Sequence, residues 1–78
     1  MPGYNYHVNY YNHTLDRAKP TTYHARLSHA DAAARDHVLG YPTNHCSLFA
    51  TDQSVALSYT RDRDALNRPT PAVHIEPW

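Results

Sequence analysis

Cysteine and long apolar runs are nearly absent from this 78-residue chain. Cys46 is the single cysteine, so no disulfide can form within the chain. No apolar run resembles a signal peptide or a membrane span. These absences argue against a disulfide-stabilised scaffold and a transmembrane protein. We therefore expect a cytoplasmic protein that does not bind membranes.

Glycine is equally scarce, and the short motifs that mark metal sites are missing. Gly3 and Gly40 are the two glycines, so the chain has no glycine-rich loop to hold a phosphate. Neither C-x-x-C nor H-E-x-x-H occurs, so a zinc ion would need ligands that are distant in sequence. His7, His24 and His45 are such a set. Solvated or core histidines are the more common case, so we predict no metal and no cofactor.

The residues that catalysis needs do not form a recognisable group. A nucleophile must lie beside a histidine that a third group orients. Cys46, His45 and Asp36 could form such a trio only if the fold happened to bring them together. A pocket of useful size is also difficult to build from so few residues. We therefore predict that the protein is not an enzyme.

The chain has no net charge, because seven Lys and Arg residues balance seven Asp and Glu residues. No long-range field therefore draws the molecule onto nucleic acid or an anionic membrane. This argues against a strongly basic nucleic-acid binder and against an acidic mimic of DNA. A chain of this length has room for one domain with a modest core, so stabilisation by a partner or by oligomerisation is expected.

Seven histidines and seven tyrosines are the conspicuous excess, and they predict a polar-aromatic surface. Residues 4–10 alternate aromatic or apolar with polar residues, which is the period-2 pattern of a strand. Its apolar face carries Tyr4, Tyr6, Val8 and Tyr10. Residues 12–20 break the pattern and predict a loop, and residues 21–27 alternate again. Tyr23, Ala25 and Leu27 share one face of this second strand.

An alanine-rich stretch over residues 29–39 predicts the helix. Ser28 and Asp31 have the spacing of an N-terminal cap, and Gly40 followed by Pro42 is typical of a helix end. The apolar stripe is thin and consists of Ala30, Ala33, Ala34, His37 and Val38. Because such small residues bury little area, we expect the tyrosines of the first strand to supply much of the core.

A hairpin follows the helix, formed by residues 45–50 and 55–60 around a polar four-residue turn. Pro69, Pro71 and Pro77 then predict an extended tail without regular structure. The fold class is α+β, in the order ββαββ, with one helix packed on one face of a small, mostly antiparallel four-stranded sheet. Residues 1–61 form the domain and residues 62–78 the tail.

Alternation then separates the two faces of the sheet. The helix is expected to cover the face bearing Tyr6, Val8, Tyr23, Leu27, Leu48 and Leu57. The opposite face has no second layer in a chain this short, and it is the candidate partner-binding surface. Its seven predicted binding residues are Asn5, His7, Asn9, Tyr11, His24, Arg26 and Phe49. Ser47 is expected on the same face. The simpler interpretation is that this face is only the solvent-exposed side of an antiparallel sheet and has no binding role.

These patterns favour a non-enzymatic module that binds another protein through the open face, the 12–20 loop, or both. Small inhibitors and adaptors take this form. Among them are phage or mobile-element proteins that block a host defence complex, such as anti-CRISPR proteins. A homodimer through the same face is one alternative. The other is a nucleic-acid-binding module in which arginines contact phosphates and Tyr11 or Phe49 stacks on unpaired bases. Salt dependence would distinguish the two, because phosphate binding weakens steeply as salt rises and binding to a protein through hydrogen bonds and aromatic contacts does not.

Overall fold

The computed structural model describes residues 4–12, 14–15 and 17–76. They form five strands and one helix: β1 (Tyr6–Asn12), β2 (Arg17–His24), α1 (Leu27–Gly40), β3 (Asn44–Ala50), β4 (Ala56–Arg63) and β5 (Pro69–Ile75). The strands make one sheet in the order β2-β1-β3-β4-β5, and every neighbouring pair is antiparallel. The helix packs on one side of it, so the predicted α+β class is confirmed and the predicted count of four strands is wrong.

The fifth strand lies in the segment predicted to be an irregular tail. The amide of Glu76 donates to Ala56 O and that of Asp64 donates to Arg68 O, which fixes the hydrogen-bonded positions between β4 and β5. Pro69 and Pro71 fall on the alternate positions, whose backbone nitrogens point away from β4. Proline is tolerated there because β5 is an edge strand. The prolines therefore do not prevent regular structure, and residues 77 and 78 lie outside the described residues.

The second strand begins earlier than the sequence pattern predicts. β2 starts at Arg17, so most of the predicted 12–20 loop is strand, and Pro20 lies within an edge strand. The pairing with β1 shifts register between Val8 and Tyr10, as a β-bulge does. Ala18, Lys19 and Pro20 are exposed, so this part of the strand lacks the apolar alternation of a half-buried strand. His13 and Asp16 of that predicted loop lie outside the described residues.

The helix begins two residues earlier than predicted and has a different N-cap. Arg26 occupies the cap position with extended backbone and makes no side-chain cap hydrogen bond, so the predicted Ser28 cap is wrong. Gly40 is the last helical residue rather than a left-handed residue after the end, and Tyr41 is extended at φ −159°. Asp31 faces the sheet and accepts a hydrogen bond from Tyr59 Oη at 2.6 Å. This carboxylate therefore joins the helix to the sheet and does not cap the helix.

The core lies between the helix and the middle strands. The predicted helix stripe is confirmed, because Ala30, Ala34, His37 and Val38 are buried and Ala33 is half-buried. The main core cluster is Val8, Tyr10, Ala30, Ala34, Val38, Cys46, Leu48 and Tyr59. Small helix residues let the backbone approach the sheet closely, and tyrosines of β1 and β4 fill the remaining volume. Within the described chain, no helix combines the length and apolar character needed to cross a membrane.

The Cys46 thiol is expected to be unreactive in the folded protein. It is 1% exposed and donates to Ala34 O at 3.6 Å, and burial raises its pKa to about 12. Since the thiolate is the nucleophile, modification needs the chain to open. We predict that a disulfide reagent such as DTNB reacts rapidly in urea and only at the unfolding-limited rate in buffer. Rapid modification of the native chain would contradict this burial.

Candidate functional site

The candidate site is the face of the sheet that points away from the helix, which we call the open face. Strand register assigns its members, because residues paired across strands share a face. The open face consists of His7, Asn9, Tyr11, Ala18, Thr21, Tyr23, His45, Ser47, Phe49, Ala56, Ser58, Thr60, Asp62, Thr70, Ala72 and His74. The only described helix lies on the other side, so no described element covers this surface.

Aromatic rings are grouped at one end of the open face. His7 on β1 has Tyr23 on one side and Phe49 on the other, with ring centroids 6.4 Å and 5.5 Å away. Tyr4 continues the row by an edge contact with Tyr23 at 6.2 Å. Tyr23 is 59% exposed. The cluster therefore presents flat, partly apolar surface to solvent in a fixed arrangement.

The remainder of the open face is polar but mostly uncharged. Tyr11 and His45 form an edge contact at the other end of β1, with centroids 5.3 Å apart. Between the two aromatic groups, Thr21 Oγ1 donates to Asn9 Oδ1 at 2.7 Å, and Ser47 lies on the neighbouring strand. Hydroxyl and amide groups both donate and accept hydrogen bonds. The face can therefore match either kind of polar group on a partner.

Four of the seven sequence-predicted residues lie together on the open face: His7, Asn9, Tyr11 and Phe49. Two others do not. His24 pairs with Tyr6 and lies on the helix side, where its Nε2 is 2.8 Å from Thr22 Oγ1, and Arg26 is the helix N-cap. The prediction had assigned Leu27 to β2, whereas Leu27 begins the helix, and this reversed the faces of the strand.

Asn5, the seventh predicted residue, immediately precedes β1 at the end of the sheet. Its Nδ2 donates to Ala25 O at 3.3 Å, and its carbonyl accepts from the Thr51 amide at 2.9 Å. These contacts tie the start of β1 to the β3–β4 turn and the β2–α1 connection. Asn5 therefore helps to order the edge of the open face rather than contributing to its centre.

The sequence interpretation missed several members of the face. Tyr23 is the most exposed aromatic residue there, and it had been assigned to the core. His74 belongs to β5, which was not predicted at all. Only knowledge of where β2 ends and of the fifth strand would have placed these two residues.

Fixed positive charge is absent from the described open-face positions. Lys19 lies on the helix side with its Nζ 4.8 Å from the centroid of the Tyr10 ring. Arg35 pairs with Asp31 on the helix, and Arg68 pairs with Asp64 in the β4–β5 turn. Asp62, near the end of β4, is the one acidic residue among the described open-face members. The open face is thus close to neutral.

A shallow hollow of about 330 Å³ opens at the aromatic end of the face. Its walls are His7, Asn9, Phe49 and Ala50 of the strands, together with Thr51 and Gln53 of the β3–β4 turn. This volume is at the lower end of small-molecule sites. It is better suited to receive one side chain of a partner than to enclose a substrate.

The candidate catalytic and metal groups are not brought together. His45 and Cys46 are consecutive in β3, so they lie on opposite faces, and Asp36 is exposed on the helix. His24 is on the helix side, away from His7 and His45. Among residues 4–12, 14–15 and 17–76, no three His, Cys, Asp or Glu side chains are placed to hold a metal ion.

Comparison with known proteins gives no match. No family model fits the chain, and no curated protein or solved structure is significantly similar to it. The functional inference therefore rests on the geometry and chemistry of the open face.

Proposed function

We propose that this chain is a non-enzymatic protein-binding module and that the open face is its docking surface. The observation that carries the proposal is a sheet face with a fixed aromatic cluster, many neutral hydrogen-bonding groups and no covering element among the described residues. Interface centres are depleted in charge and enriched in tyrosine and other aromatic residues. The composition of the open face agrees with that pattern.

Tyr23 and Phe49 are the expected anchors. Each is a large, stiff side chain that contributes contact area with little loss of rotamer entropy. The His7 ring lies between them and limits their movement. Asn9, Thr21 and the serines beside the cluster supply adaptable hydrogen bonds, as in antibody binding surfaces. Binding would thus use a preformed surface.

Steric inhibition is the form of activity that this surface suits best. A rigid neutral face can cover a partner's active or recruitment surface without any chemistry of its own. We extend the proposal to a host complex in the cytoplasm as the partner, in the manner of anti-CRISPR proteins. A single cysteine, which cannot form a disulfide within the chain, is compatible with that compartment.

The nucleic-acid alternative gains no support from the position of the charges. Phosphate contacts need Lys or Arg close to the bases that stack on the sheet. The described open-face positions have neither, and Arg35 and Arg68 are paired with carboxylates elsewhere. Bases stacked on Tyr11 or Phe49 would therefore have no Lys or Arg of the described open face beside them to contact their phosphates.

Affinity capture from host lysate tests the proposal with a matched pair of charge variants. Ser47→Lys places a charge at the centre of the open face, and Ala32→Lys places the same charge on the exposed side of the helix. We expect the wild type and Ala32→Lys to retain one protein partner at moderate salt after nuclease treatment, and Ser47→Lys to lose it. Phosphate binding, by contrast, weakens steeply as salt rises.

Equal capture by both variants would contradict the open face as the docking surface. Recovery of nucleic acid only at low salt would support the alternative instead. Circular dichroism and thermal unfolding of both variants provide the folding control. If Ser47→Lys fails to fold, Thr60→Lys serves in its place, because Thr60 is an exposed member of the open face.

A further inference from the structure

We infer that the open face also docks a second copy of this chain, so that self-association and partner binding exclude each other. This inference rests on the proposed function, because it takes the open face to be a docking surface. It adds the identity of one occupant and a form of regulation. Four features of the described residues support it: charge, hydrogen-bonding chemistry, area and the state of the sheet edges.

The charge pattern permits self-contact. A two-fold contact brings identical patches together, so any fixed charge near the centre meets its own copy. The described open-face positions have no Lys or Arg. Asp62, the fixed anion, lies near the C-terminal end of β4 rather than at the centre. Two such faces would therefore meet without like-charge repulsion in the middle of the contact.

The hydrogen-bonding groups are self-complementary. Ammonium and guanidinium groups only donate, and ionised carboxylates only accept, so a surface rich in either cannot satisfy a copy of itself. Hydroxyl, amide and neutral imidazole groups do both. The centre of the open face has these dual groups on adjacent strands, at Asn9, Ser47 and Ser58. A second copy can therefore supply the partners that the first one needs.

The area is sufficient for a reversible dimer. Five strands of seven or eight residues outline a patch of about 24 by about 23 Å. That outline encloses roughly 550 Å², which is below the roughly 800 Å² per partner of a standard interface and in the range of weak, transient contacts. Since the face is mostly polar, the affinity should be modest, in the micromolar range.

The sheet edges are less suitable for self-association. On the outer edge of β5, Pro69 and Pro71 lack the N–H groups that an added strand would need. On the other edge, β2 contains Pro20 and pairs with β1 through a register shift. Prolines and bulges are the usual obstacles to edge-to-edge pairing. Contact with a second copy is therefore favoured through the open face rather than along the sheet edges.

The consequence is competition for one surface. In the dimer the open face of each copy is covered, so a partner binds only the monomer. Partner binding then shifts the equilibrium towards monomers by mass action, and high protein concentration weakens apparent partner affinity. The dimer would be an inactive reserve of the module, because its docking surface is covered until the dimer dissociates.

Sedimentation analysis of the full chain over a wide concentration range tests the inference. We expect the average mass of the wild type and of Ala32→Lys to rise towards that of a dimer as concentration increases. Ser47→Lys should remain monomeric, because the dimer would bury two ammonium groups near its axis. Thr60→Lys gives a second open-face variant if Ser47→Lys does not fold.

Two outcomes would overturn the inference: a wild type that stays monomeric up to about 1 mM, or a Ser47→Lys variant that dimerises like the wild type. A monomeric wild type that still captures a protein partner lost by Ser47→Lys leaves the proposed function standing and removes only the dimer. Dimerisation without any face-dependent partner removes the proposed function and leaves the second copy as the occupant.

Discussion

An Asn12→Ala variant is expected to lose about 3 kcal/mol of unfolding free energy, since three hydrogen bonds of roughly 1 kcal/mol each disappear. Asn12 is 4% exposed at the end of β1. Its Nδ2 donates to Asn44 Oδ1 at 2.7 Å, and its Oδ1 accepts from the Leu15 amide and Thr43 Oγ1, both at 2.9 Å. Asn44 in turn donates to His37 O at 2.9 Å. The network joins β1, β3 and the end of the helix.

Chemical denaturation and thermal melting measure this effect, with Asn9→Ala as the matched control. Asn9 lies on the same strand but on the open face, where it accepts one exposed hydrogen bond from Thr21. We expect the melting temperature of Asn12→Ala to fall by more than about 10 °C, and the control to stay within about 0.5 kcal/mol of the wild type. Equal effects of the two variants would show that the network does not stabilise the fold.

A Tyr59→Phe variant is expected to lose about 2 kcal/mol, because a hydrogen bond to a charged group disappears and leaves Asp31 short of a partner. Tyr59 is 0% exposed, and its hydroxyl donates to Asp31 Oδ1 at 2.6 Å, which joins β4 to the helix. Burial and this hydrogen bond to Asp31 raise the pKa of Tyr59. Tyr23→Phe, an exposed tyrosine on the open face, should change stability by less than about 0.5 kcal/mol.

The effect of Tyr59→Phe should depend on pH. Burial raises the pKa of Asp31, but hydrogen bonds from Tyr59 and Arg35 outweigh it and bring the pKa below its ordinary value. The folded state therefore binds fewer protons, and the stabilisation is complete above about pH 4 and lost as pH falls through the folded pKa. Denaturation curves at neutral and acidic pH should show the difference between wild type and variant shrinking in acid. A difference that grew in acid would contradict the assigned hydrogen bond.

The elements that the sequence predicts well are those with strong local signals. The helix stripe is spaced for one face of an α-helix, and Gly40 and Pro42 mark its end, so its position is correct to within two residues. The β3–β4 hairpin has two β-rich runs around a polar turn. Alternation in β1 predicts correctly that Val8 and Tyr10 are buried.

The errors occur where tertiary contacts override local patterns. Proline normally argues against a strand, yet Pro69 and Pro71 fit because β5 is an edge strand and their nitrogens face outwards. Ser28 has the spacing of a cap, but the helix begins earlier, because the Ala30 amide donates to Arg26 O at 3.1 Å and Ala30 is buried in the core. Neither the position of an edge nor the start of packing is encoded in a local window of sequence.

Only part of the candidate site could be predicted from local sequence patterns. Its β1 and β3 members follow from regular alternation in strands that pair without irregularity. Its β2 and β5 members do not, because Leu27 was assigned to β2 rather than to the helix, which reversed the faces of that strand, and β5 was not recognised as a strand. Tyr23 and His74 consequently join the face only once the end of β2 and the fifth strand are known.

The most direct test of the open face as a docking surface is an NMR titration of the isotope-labelled protein with the partner recovered by capture. We predict that the backbone amides of β1 and β3 and the Tyr23 amide change or broaden as partner is added, while those on the exposed side of the helix, such as Ala32, stay unchanged. Changes confined to the helix, with β1 and β3 unaffected, would contradict the account.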